Sequence, residues 1–307
     1  MYVIGVDAGG TKTQCLVTDE NGQICGEGIA GRANHQVCGI EETIQSLESA
    51  VHQALNAAGL TMADIAYGVF GMAGADEPDD FEILNPAVKR VMGDVDFQVV
   101  HDSWIGFYSA NVEDMGVVSI CGTGAGHGGI NRQGERLTLR NLEYITGNYG
   151  GGADLVEKAL HYAFRSEEKT GDFSMLEKRV PEIFNVQTME EVCAILKHQE
   201  LLKEQKYQLP ILVFTLANEG DLVCQKLLMD MGYEEGRYAA GIIRRLHMEQ
   251  EQVPVVLIGS LFKTGNSYLI DSYMKAVREA AKDAYPVIPK EAPVKGAVKM
   301  ALNHLKR

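Results

Sequence analysis

Two glycine-rich segments of the sequence have the composition of phosphate-binding turns. They read Asp7-Ala-Gly9-Gly10-Thr11-Lys12-Thr13 and Cys121-Gly122-Thr123-Gly124-Ala-Gly126. Glycine lets the backbone come close to an anion, and successive N–H groups in such a turn form an anion-binding nest. The hydroxyl and ammonium groups of the first segment could add donors. Either segment alone could be an ordinary hairpin turn, but the pair favours binding of phosphate groups.

Two carboxylates follow apolar runs and could serve phosphoryl transfer. Asp7 ends the first run, where it could hold Mg²⁺ through water. Asp102 ends the run Phe97–His101, where it could accept the proton of a substrate hydroxyl. A carboxylate aimed at the nucleophile is a recurring part of this chemistry. The alternative for Asp102 is a helix N-cap, because Ser103 and apolar residues follow it. We interpret the neighbouring His101 as structural.

The hydrophobic pattern places both turns in β-hairpins of an α/β chain. It predicts strands at 2–7, 13–18, 65–71, 97–101 and 253–259, with a further one from 117. It predicts helices at 41–58, 153–165, 209–218, 221–247, 267–283 and 293–305. Each glycine-rich turn follows one strand and precedes another, which indicates two related halves. We expect one lobe at 1–114 completed by a helix at 293–307, a second lobe at 115–292, and a ligand cleft between them.

Composition and charge narrow the class of protein. The chain has 307 residues, of which 46% are hydrophobic and 23% charged, as in ordinary globular proteins. The net charge of −14 disfavours nucleic acid as a partner, because that binding depends on neutralising phosphates. There is no run of about 18 apolar residues and no secretory leader, so we expect a cytoplasmic protein without membrane contact. Six scattered cysteines without a Cys-x-x-Cys pair favour reduced thiols over zinc or disulfides.

Several short motifs occur along the chain in a characteristic order. They are Asp7-x-Gly-Gly-Thr-Lys-Thr13, Arg32-Ala-Asn34-His, His101-Asp102-Ser, Cys121-Gly-Thr-Gly124, Gly147-Asn-Tyr-Gly-Gly-Gly152 and Ile258-Gly-Ser260. This combination resembles the eukaryotic-type N-acetylglucosamine kinases of the BadF/BadG/BcrA/BcrD ATPase group, over essentially the whole chain. The resemblance implies a two-lobed actin-like fold with ribonuclease-H-like lobes. It also implies ATP and Mg²⁺, an amino sugar as the small-molecule substrate, and transfer to its C6 hydroxyl.

The resemblance also implies roles for individual residues. Asp102 would be the general base, and Asp7 would hold Mg²⁺ through water. The residues implied to bind ATP and its phosphates are Gly9, Gly10, Thr11, Lys12, Thr13, Gly122, Thr123, Gly124, Ala217, Gly259, Ser260 and Lys263. The residues implied to bind the sugar are Asn34, Asp102, Thr123, Asn141, Glu143 and Asn148. The small-residue turn within Val255–Phe262 could admit a flat adenine ring, although that pattern alone is nonspecific.

The chain departs from the family pattern around the expected sugar pocket. The family's Gly-Asp-Glu-Gly is here Gly147-Asn148-Tyr149-Gly150, and Ala125-Gly126 replaces a polar pair after the second turn. The stretch Asn141–Tyr144 also differs from the family's glycine-rich segment. A roomier pocket could accept N-acetylmuramic acid as well as N-acetylglucosamine, which is our hypothesis for the substrate.

Two other functions remain open at this stage, and so does the oligomeric state. One is an ATPase that activates a 2-hydroxyacyl-CoA dehydratase, which would need cysteines placed to hold an iron–sulfur cluster. The other is a non-catalytic sugar or nucleotide sensor, because a fold alone does not fix function. We expect a homodimer formed through the helical second lobe.

Overall fold

The computed structural model describes residues 1–110, 112, 115–140 and 144–306. Asn141 and Glu143, two predicted sugar-binding residues, lie outside the described residues. The chain forms two compact units, the first comprising Met1–Val118 with Val287–Arg307 and the second Ser119–Pro286. The lobe limits given by the sequence, 114/115 and 292/293, stay a prediction.

The first unit contains a five-stranded mixed sheet. Its strands are β1 (Tyr2–Ala8), β2 (Thr13–Asp19), β3 (Ile24–Ala30), β4 (Ile65–Met72) and β5 (Phe97–His101). Their order is β3-β2-β1-β4-β5, with β1 antiparallel to β2 and parallel to β4, and β4 parallel to β5. Strands β1 and β4 lie inside the sheet and are buried on both faces, so their sequences are almost continuously apolar. The first glycine-rich turn joins β1 to β2, as predicted.

Four helices follow strands of this sheet. They are α1 (His35–Cys38), α2 (Ile40–Ala58), α3 (Pro78–Met92) and α4 (Asp102–Ser109). Ile44, Leu47 and Val51 bury one face of α2 in the core beside the sheet. Helix α3 lies in a segment that the sequence did not predict as helical. Pro78 occupies one of its first positions, where its missing N–H costs nothing.

A second five-stranded sheet, most of which lies in the second unit, repeats the strand order of the first sheet. Its strands are β6 (Gly116–Cys121), β7 (Ala125–Ile130), β8 (Arg136–Thr138), β9 (Pro254–Ile258) and β10 (Tyr285–Val287). Read from β8, the order is β8-β7-β6-β9-β10, which matches β3-β2-β1-β4-β5 element by element. The second glycine-rich turn joins β6 to β7, the counterpart of the turn between β1 and β2. The predicted relationship between the two halves is therefore confirmed at the level of topology.

In the described residues of the second unit there are six α-helices. They are α5 (Gly151–Glu167), α6 (Leu176–Ile183), α7 (Met189–Leu196), α8 (Lys203–Asn218), α9 (Leu222–Arg245) and α10 (Ser267–Arg278). Helix α8 begins six residues before the predicted start at 209. Pro210 lies inside the helix. Helix α10 ends at Arg278, so the predicted end at 283 is wrong.

Helix α11 (Pro293–Leu305) is the last element of the chain and packs on β1 and α4 of the first unit. Val294, Ala297 and Ala301 are its most buried apolar residues. No helix in the described part of the chain is long and apolar enough to cross a membrane.

Candidate functional site

The first glycine-rich turn is a tight, ligand-accessible bend. The backbone N–H of Gly9 donates to the Lys12 carbonyl at 3.0 Å, and the Gly9 carbonyl accepts from Ala33 N–H at 2.9 Å. A Cβ on Gly10 would meet no atom within 4 Å, so the outer side of the turn is open. An open turn with its backbone held in place is suited to receive an anion.

The side chains of this turn divide into two groups. Thr11 and Lys12 are exposed, and Lys12 Nζ donates to the side-chain oxygen of Gln14 at 3.2 Å. Thr13 is fully buried, and its hydroxyl donates to the Gly31 carbonyl at 2.8 Å. Of the predicted donors, Thr13 is thus placed to hold the hairpin, whereas Thr11 and Lys12 face outward. Asp7 lies half-buried in β1, just before the turn.

Asp102 is the first residue of α4, and its side chain is 28% exposed. The N-cap of this helix is His101, whose Nδ1 accepts from the Ser103 backbone N–H at 3.1 Å. The interpretation of Asp102 as the N-cap is therefore wrong, because an imidazole nitrogen fills that role. The Asp102 carboxylate is left with an accessible oxygen at a helix N-terminus, where negative charge is stabilised.

Asn34 is half-buried in the segment between β3 and α1. Its Oδ1 accepts from the Gln36 backbone N–H at 3.0 Å and so caps α1. The same side chain carries an NH₂ group, which has the donors that a sugar oxygen accepts. This NH₂ group could make the predicted sugar contact of Asn34.

The second glycine-rich turn is docked on the start of α5. Gly122 N–H donates to the Gly124 carbonyl at 2.9 Å and closes the turn. The carbonyls of Gly122 and Thr123 accept from Gly152 N–H at 2.8 Å and Ala153 N–H at 2.9 Å. Thr123 and Gly124 are exposed, and a Cβ on Gly122 or Gly124 would meet no atom within 4 Å. The turn is therefore anchored on one side and open on the other.

The segment after β9 packs directly against this turn. Gly259 has φ +101°, and a Cβ there would overlap the backbone of Cys121, so only glycine fits. Leu261 N–H donates to the Cys121 carbonyl at 3.1 Å. The predicted adenosine-binding segment and the predicted second phosphate turn are thus brought together within the second unit.

A cavity of about 1240 Å³ opens beside these two segments. It is larger than the roughly 300–1,000 Å³ of common small-molecule sites. Its lining comes from the second turn, the start of α5, one side of α8, the segment after β9 and the start of α10. All of these residues belong to the second unit. The wall includes Gly122, Thr123 and Ser260, three of the predicted ATP-binding residues.

Helix α8 supplies wall residues that the sequence did not indicate. They are Lys203, Lys206, Tyr207, Pro210, Ile211, Phe214, Thr215 and Asn218. Ala217, predicted to lie near the adenosine, is fully buried and is not part of this wall, unlike its neighbours Thr215 and Asn218. Lys263 is exposed on the turn after β9 but is not among the lining residues either.

Asn148 and Tyr149, which replace two acids of the family pattern, are both tied to protein groups. Asn148 is only 8% exposed, and its Nδ2 donates to the Ala125 carbonyl at 3.2 Å. The Tyr149 hydroxyl accepts from Lys158 Nζ, which also lies 4.2 Å from the centre of its ring. The structure therefore places Asn148 as a link between β7 and the segment before α5.

A buried polar chain lies beneath the second turn. His127 Nδ1 is 2.8 Å from the Ser119 hydroxyl, which is 2.6 Å from the Tyr273 hydroxyl. On its other side, His127 Nε2 lies 3.1 Å from Glu235 Oε2, and both side chains have no exposed area. The Cys121 thiol donates to Glu235 Oε1 at 3.6 Å. Burial, with the nearby Glu235 charge, raises the pKa of that thiol far above its usual range. A buried hydrogen-bonded network of this kind rigidifies the strands and helices that it joins.

Asp154, in the first turn of α5, titrates abnormally. Burial, with the negative charges of Glu157 and Glu235, raises the pKa of its carboxyl to about 7. Lys158 Nζ lies 3.1 Å from Asp154 Oδ2, but this attraction does not offset the burial and the two acids. The carboxyl therefore changes charge near neutral pH.

Two five-stranded sheets of the same order, each opening with a glycine-turned hairpin, define the actin-like class of two-lobed folds. A solved structure from Chromobacterium violaceum, of a protein proposed to be an N-acetylglucosamine kinase, superposes with a TM-score of 0.74. It is 22% identical in sequence and covers 97% of this chain and 98% of its own. The predicted fold class is confirmed.

Residues 4–301 match the BadF/BadG/BcrA/BcrD ATPase family, and the chain belongs to it. The chain is 25% identical over 276 residues to the N-acetylmuramic acid/N-acetylglucosamine kinase of Clostridium acetobutylicum, covering 89% of each. It is 24% identical to the N-acetyl-D-glucosamine kinase of Dictyostelium discoideum, over 99% of this chain and 98% of that one. The family indicated by the sequence motifs is confirmed.

Proposed function

We propose that this protein transfers the γ-phosphoryl group of ATP to a hydroxyl of an amino sugar. The observation that carries the proposal is the cavity of the second unit, whose wall includes Gly122, Thr123 and Ser260. Phosphoryl transfer needs positioning and electrostatic stabilisation more than covalent chemistry. A rigid, glycine-rich turn bordering a large cavity suits that requirement.

The cavity has the mixed lining that a nucleotide needs. Val156, Ile211 and Phe214 offer apolar surface for a flat base, and Thr215 and Asn218 offer hydrogen-bonding groups beside it. The backbone N–H groups of the second turn would face the phosphates. The first turn, with Thr11 and Lys12 exposed, would add further donors.

Asp102 would act as the general base. Its carboxylate would take the proton from the sugar hydroxyl as that oxygen bonds to the γ-phosphorus, while the bond from phosphorus to the departing ADP oxygen breaks. The half-buried Asp7 carboxylate fits the hard-oxygen preference of Mg²⁺ and would hold it through water. When bound, the ion would neutralise charge on the phosphates.

We propose the identity of the sugar from the substrates of the relatives and from the positions at which this chain differs from the family pattern. The relatives named above act on N-acetylglucosamine, and one also acts on N-acetylmuramic acid. In this chain, Asn148 and Ala125 stand where the family commonly carries an acid and a polar residue. We therefore place both sugars among the substrates, with C6 as the hydroxyl phosphorylated and Asn34 as one sugar contact.

The test is ADP release from Mg-ATP in the presence of glucose, glucosamine, N-acetylglucosamine or N-acetylmuramic acid. We expect N-acetylglucosamine and N-acetylmuramic acid each to raise the rate well above the sugar-free background. Asp102→Asn should lower kcat by about 10²–10⁴-fold with little change in nucleotide affinity, because it removes only proton transfer. The matched control is Asp94→Asn, an exposed acid in the same unit, which should behave as wild type. Equal rates with and without every sugar would refute the proposal.

A further inference from the structure

Two asparagines that line the cavity are in direct contact. Asn218 is the last residue of α8 and is exposed, whereas Asn266 is the N-cap of α10 and is only 8% exposed. The side-chain Nδ2 of Asn266 donates to Oδ1 of Asn218 at 3.1 Å. This hydrogen bond joins the end of one helix to the start of another within the second unit.

The cap of α10 fixes the orientation of both amides. The Leu269 backbone N–H donates to Asn266 Oδ1 at 3.2 Å, and a backbone N–H can only donate. Asn266 therefore presents its NH₂ group to Asn218, and the atom of Asn218 that receives it must be the oxygen. The NH₂ group of Asn218 is on the other side of its planar amide, and among the described residues it has no partner. Asn218 thus offers the cavity a hydrogen-bond donor.

Thr215 offers the opposite kind of group. Its hydroxyl donates to the Ile211 carbonyl at 2.9 Å, so its hydrogen is used within α8 while its oxygen can still accept. Thr215 also lines the cavity, and it lies three residues before Asn218, on the same face of the helix. Helix α8 therefore presents an acceptor and a donor side by side.

The distance of this pair from the second glycine-rich turn suits the base of a nucleotide. Pro210 of α8 lies near that turn, since its Cγ is 3.7 Å from the place of a Cβ on Gly152, whose N–H anchors the turn. Thr215 and Asn218 lie roughly 8 and 12 Å further along the helix axis. In ATP the ribose and the α-phosphate separate the base from the β- and γ-phosphates. Phosphates at the turn would therefore leave the base near this end of α8.

We propose that Thr215 and Asn218 recognise the 6-amino group of adenine and a ring nitrogen beside it, with Asn266 as the positioning residue that keeps Asn218 a donor. This inference rests on the proposed function, which places ATP in this cavity. The Thr215 oxygen accepts from the amino group, and the Asn218 NH₂ group donates to N1 or N7 of the ring.

The same pair rejects purines with a carbonyl at the 6-position. Guanine and hypoxanthine carry an oxygen there, which accepts hydrogen bonds and does not donate them. That oxygen would face the lone pairs of Thr215, or the Thr215 hydroxyl would have to give up its bond with Ile211. The pair therefore selects ATP over GTP and ITP.

The first test compares two nucleotides on the unmodified protein. ITP differs from ATP in the oxygen at the 6-position and in the hydrogen on N1. Calorimetric titration in the presence of Mg²⁺ should give a Kd for ATP about tenfold or more below that for ITP. Thr215→Val, which keeps the shape of the side chain but removes the oxygen, should reduce this ratio by about fivefold.

Two substitutions of Asn266 test the orientation of Asn218. Asn266→Asp keeps the N-cap but leaves only acceptor atoms beside Asn218. The Asn218 NH₂ group would turn toward them, its oxygen would face the ring nitrogen of the base, and the Kd for ATP should rise by about tenfold or more. Asn266→Ser also keeps the cap but does not force this turn, so we expect a rise of no more than about threefold. Equal Kd values in the two variants would overturn the role of Asn266.

Asn218→Ala has a matched control in Gln208→Ala, because both side chains are amides of α8 but Gln208 is not among the lining residues. Asn218→Ala should raise the Kd for ATP by about fivefold or more, and Gln208→Ala should leave it unchanged. Equal Kd values for ATP and ITP in wild type would overturn the inference, even where sugar-dependent ADP release upholds the kinase. A preference for ATP without sugar-dependent ADP release would uphold the recognition of adenine and refute the proposed function.

Discussion

The Glu235 carboxylate lies where a side chain on Gly150 would begin, so a buried acid of α9 and the residue before α5 are in direct contact. Glu235 also lies 3.1 Å from His127 on β7 and accepts from Cys121 on β6. The same carboxylate thus touches the two strands that carry the second glycine-rich turn and the segment on which that turn is docked. Glu235 therefore links β6, β7 and the residue before α5.

Replacing Gly150 with alanine should push Glu235 away from this contact. Gly150 has φ +141°, so the substitution also strains the backbone. We expect Gly150→Ala to lower the free energy of unfolding by about 3 kcal/mol, because it displaces a buried charge as well. Denaturant unfolding measures this change.

The matched control for this prediction is Gly147→Ala, three residues earlier. Gly147 also has a positive φ, +85°, but a Cβ there would meet no atom within 4 Å. Gly147→Ala should therefore lower the free energy of unfolding only through backbone strain, by about 1 kcal/mol. Equal losses in the two variants would show that the contact with Glu235 contributes nothing.

The raised pKa of Asp154 predicts a pH dependence of stability. The folded carboxyl titrates at about 7, whereas an unfolded aspartate titrates near about 3.9. Between pH 4 and pH 7 the folded state binds more protons than the unfolded state. The contribution of Asp154 to the free energy of unfolding is therefore fully present below pH 4 and is lost as the pH rises through 7. The side chain is 13% exposed and close to Lys158, so we expect a loss of about 2 kcal/mol rather than the full value of the shift.

Asp154→Asn isolates this contribution, because the amide stays neutral. The variant should match wild type at pH 4 and exceed its free energy of unfolding by about 2 kcal/mol at pH 8. Urea unfolding at both pH values measures the difference, with the exposed Asp172→Asn as the control that keeps the wild-type slope. A variant less stable than wild type at pH 8 would mean that the ion pair with Lys158 dominates.

The sequence was sufficient to predict the two hairpin turns and the carboxylate after β5, because glycine spacing and strand ends are local signals. It was insufficient for the cavity wall. Helix α8 has apolar residues around most of its circumference, and the sequence pattern predicted its start only at 209, so Lys203 and Tyr207 were not assigned to it. The partner of His101 was also beyond reach, because Asp76 is 25 residues away in sequence and meets the ring only through the pairing of β4 with β5.

The second turn offers a direct test of the nucleotide cavity. A methyl group on Gly122 would meet no atom within 4 Å, so Gly122→Ala should change the free energy of unfolding by no more than about 0.5 kcal/mol. The same methyl group would project from a residue that lines the cavity, where the backbone must come close to a phosphate. We expect the KM for ATP to rise by about tenfold or more and the KM for the sugar to change little.

The control for Gly122→Ala is Gly241→Ala, since a methyl group on Gly241 of α9 also meets no atom within 4 Å. Within a helix, this change should add up to about 1 kcal/mol of stability without altering either KM. Steady-state ADP release at varied ATP, together with denaturant unfolding of both variants, separates binding from folding. If Gly122→Ala is stable and keeps the wild-type KM for ATP, the phosphates do not approach this turn, and the nucleotide must be placed elsewhere.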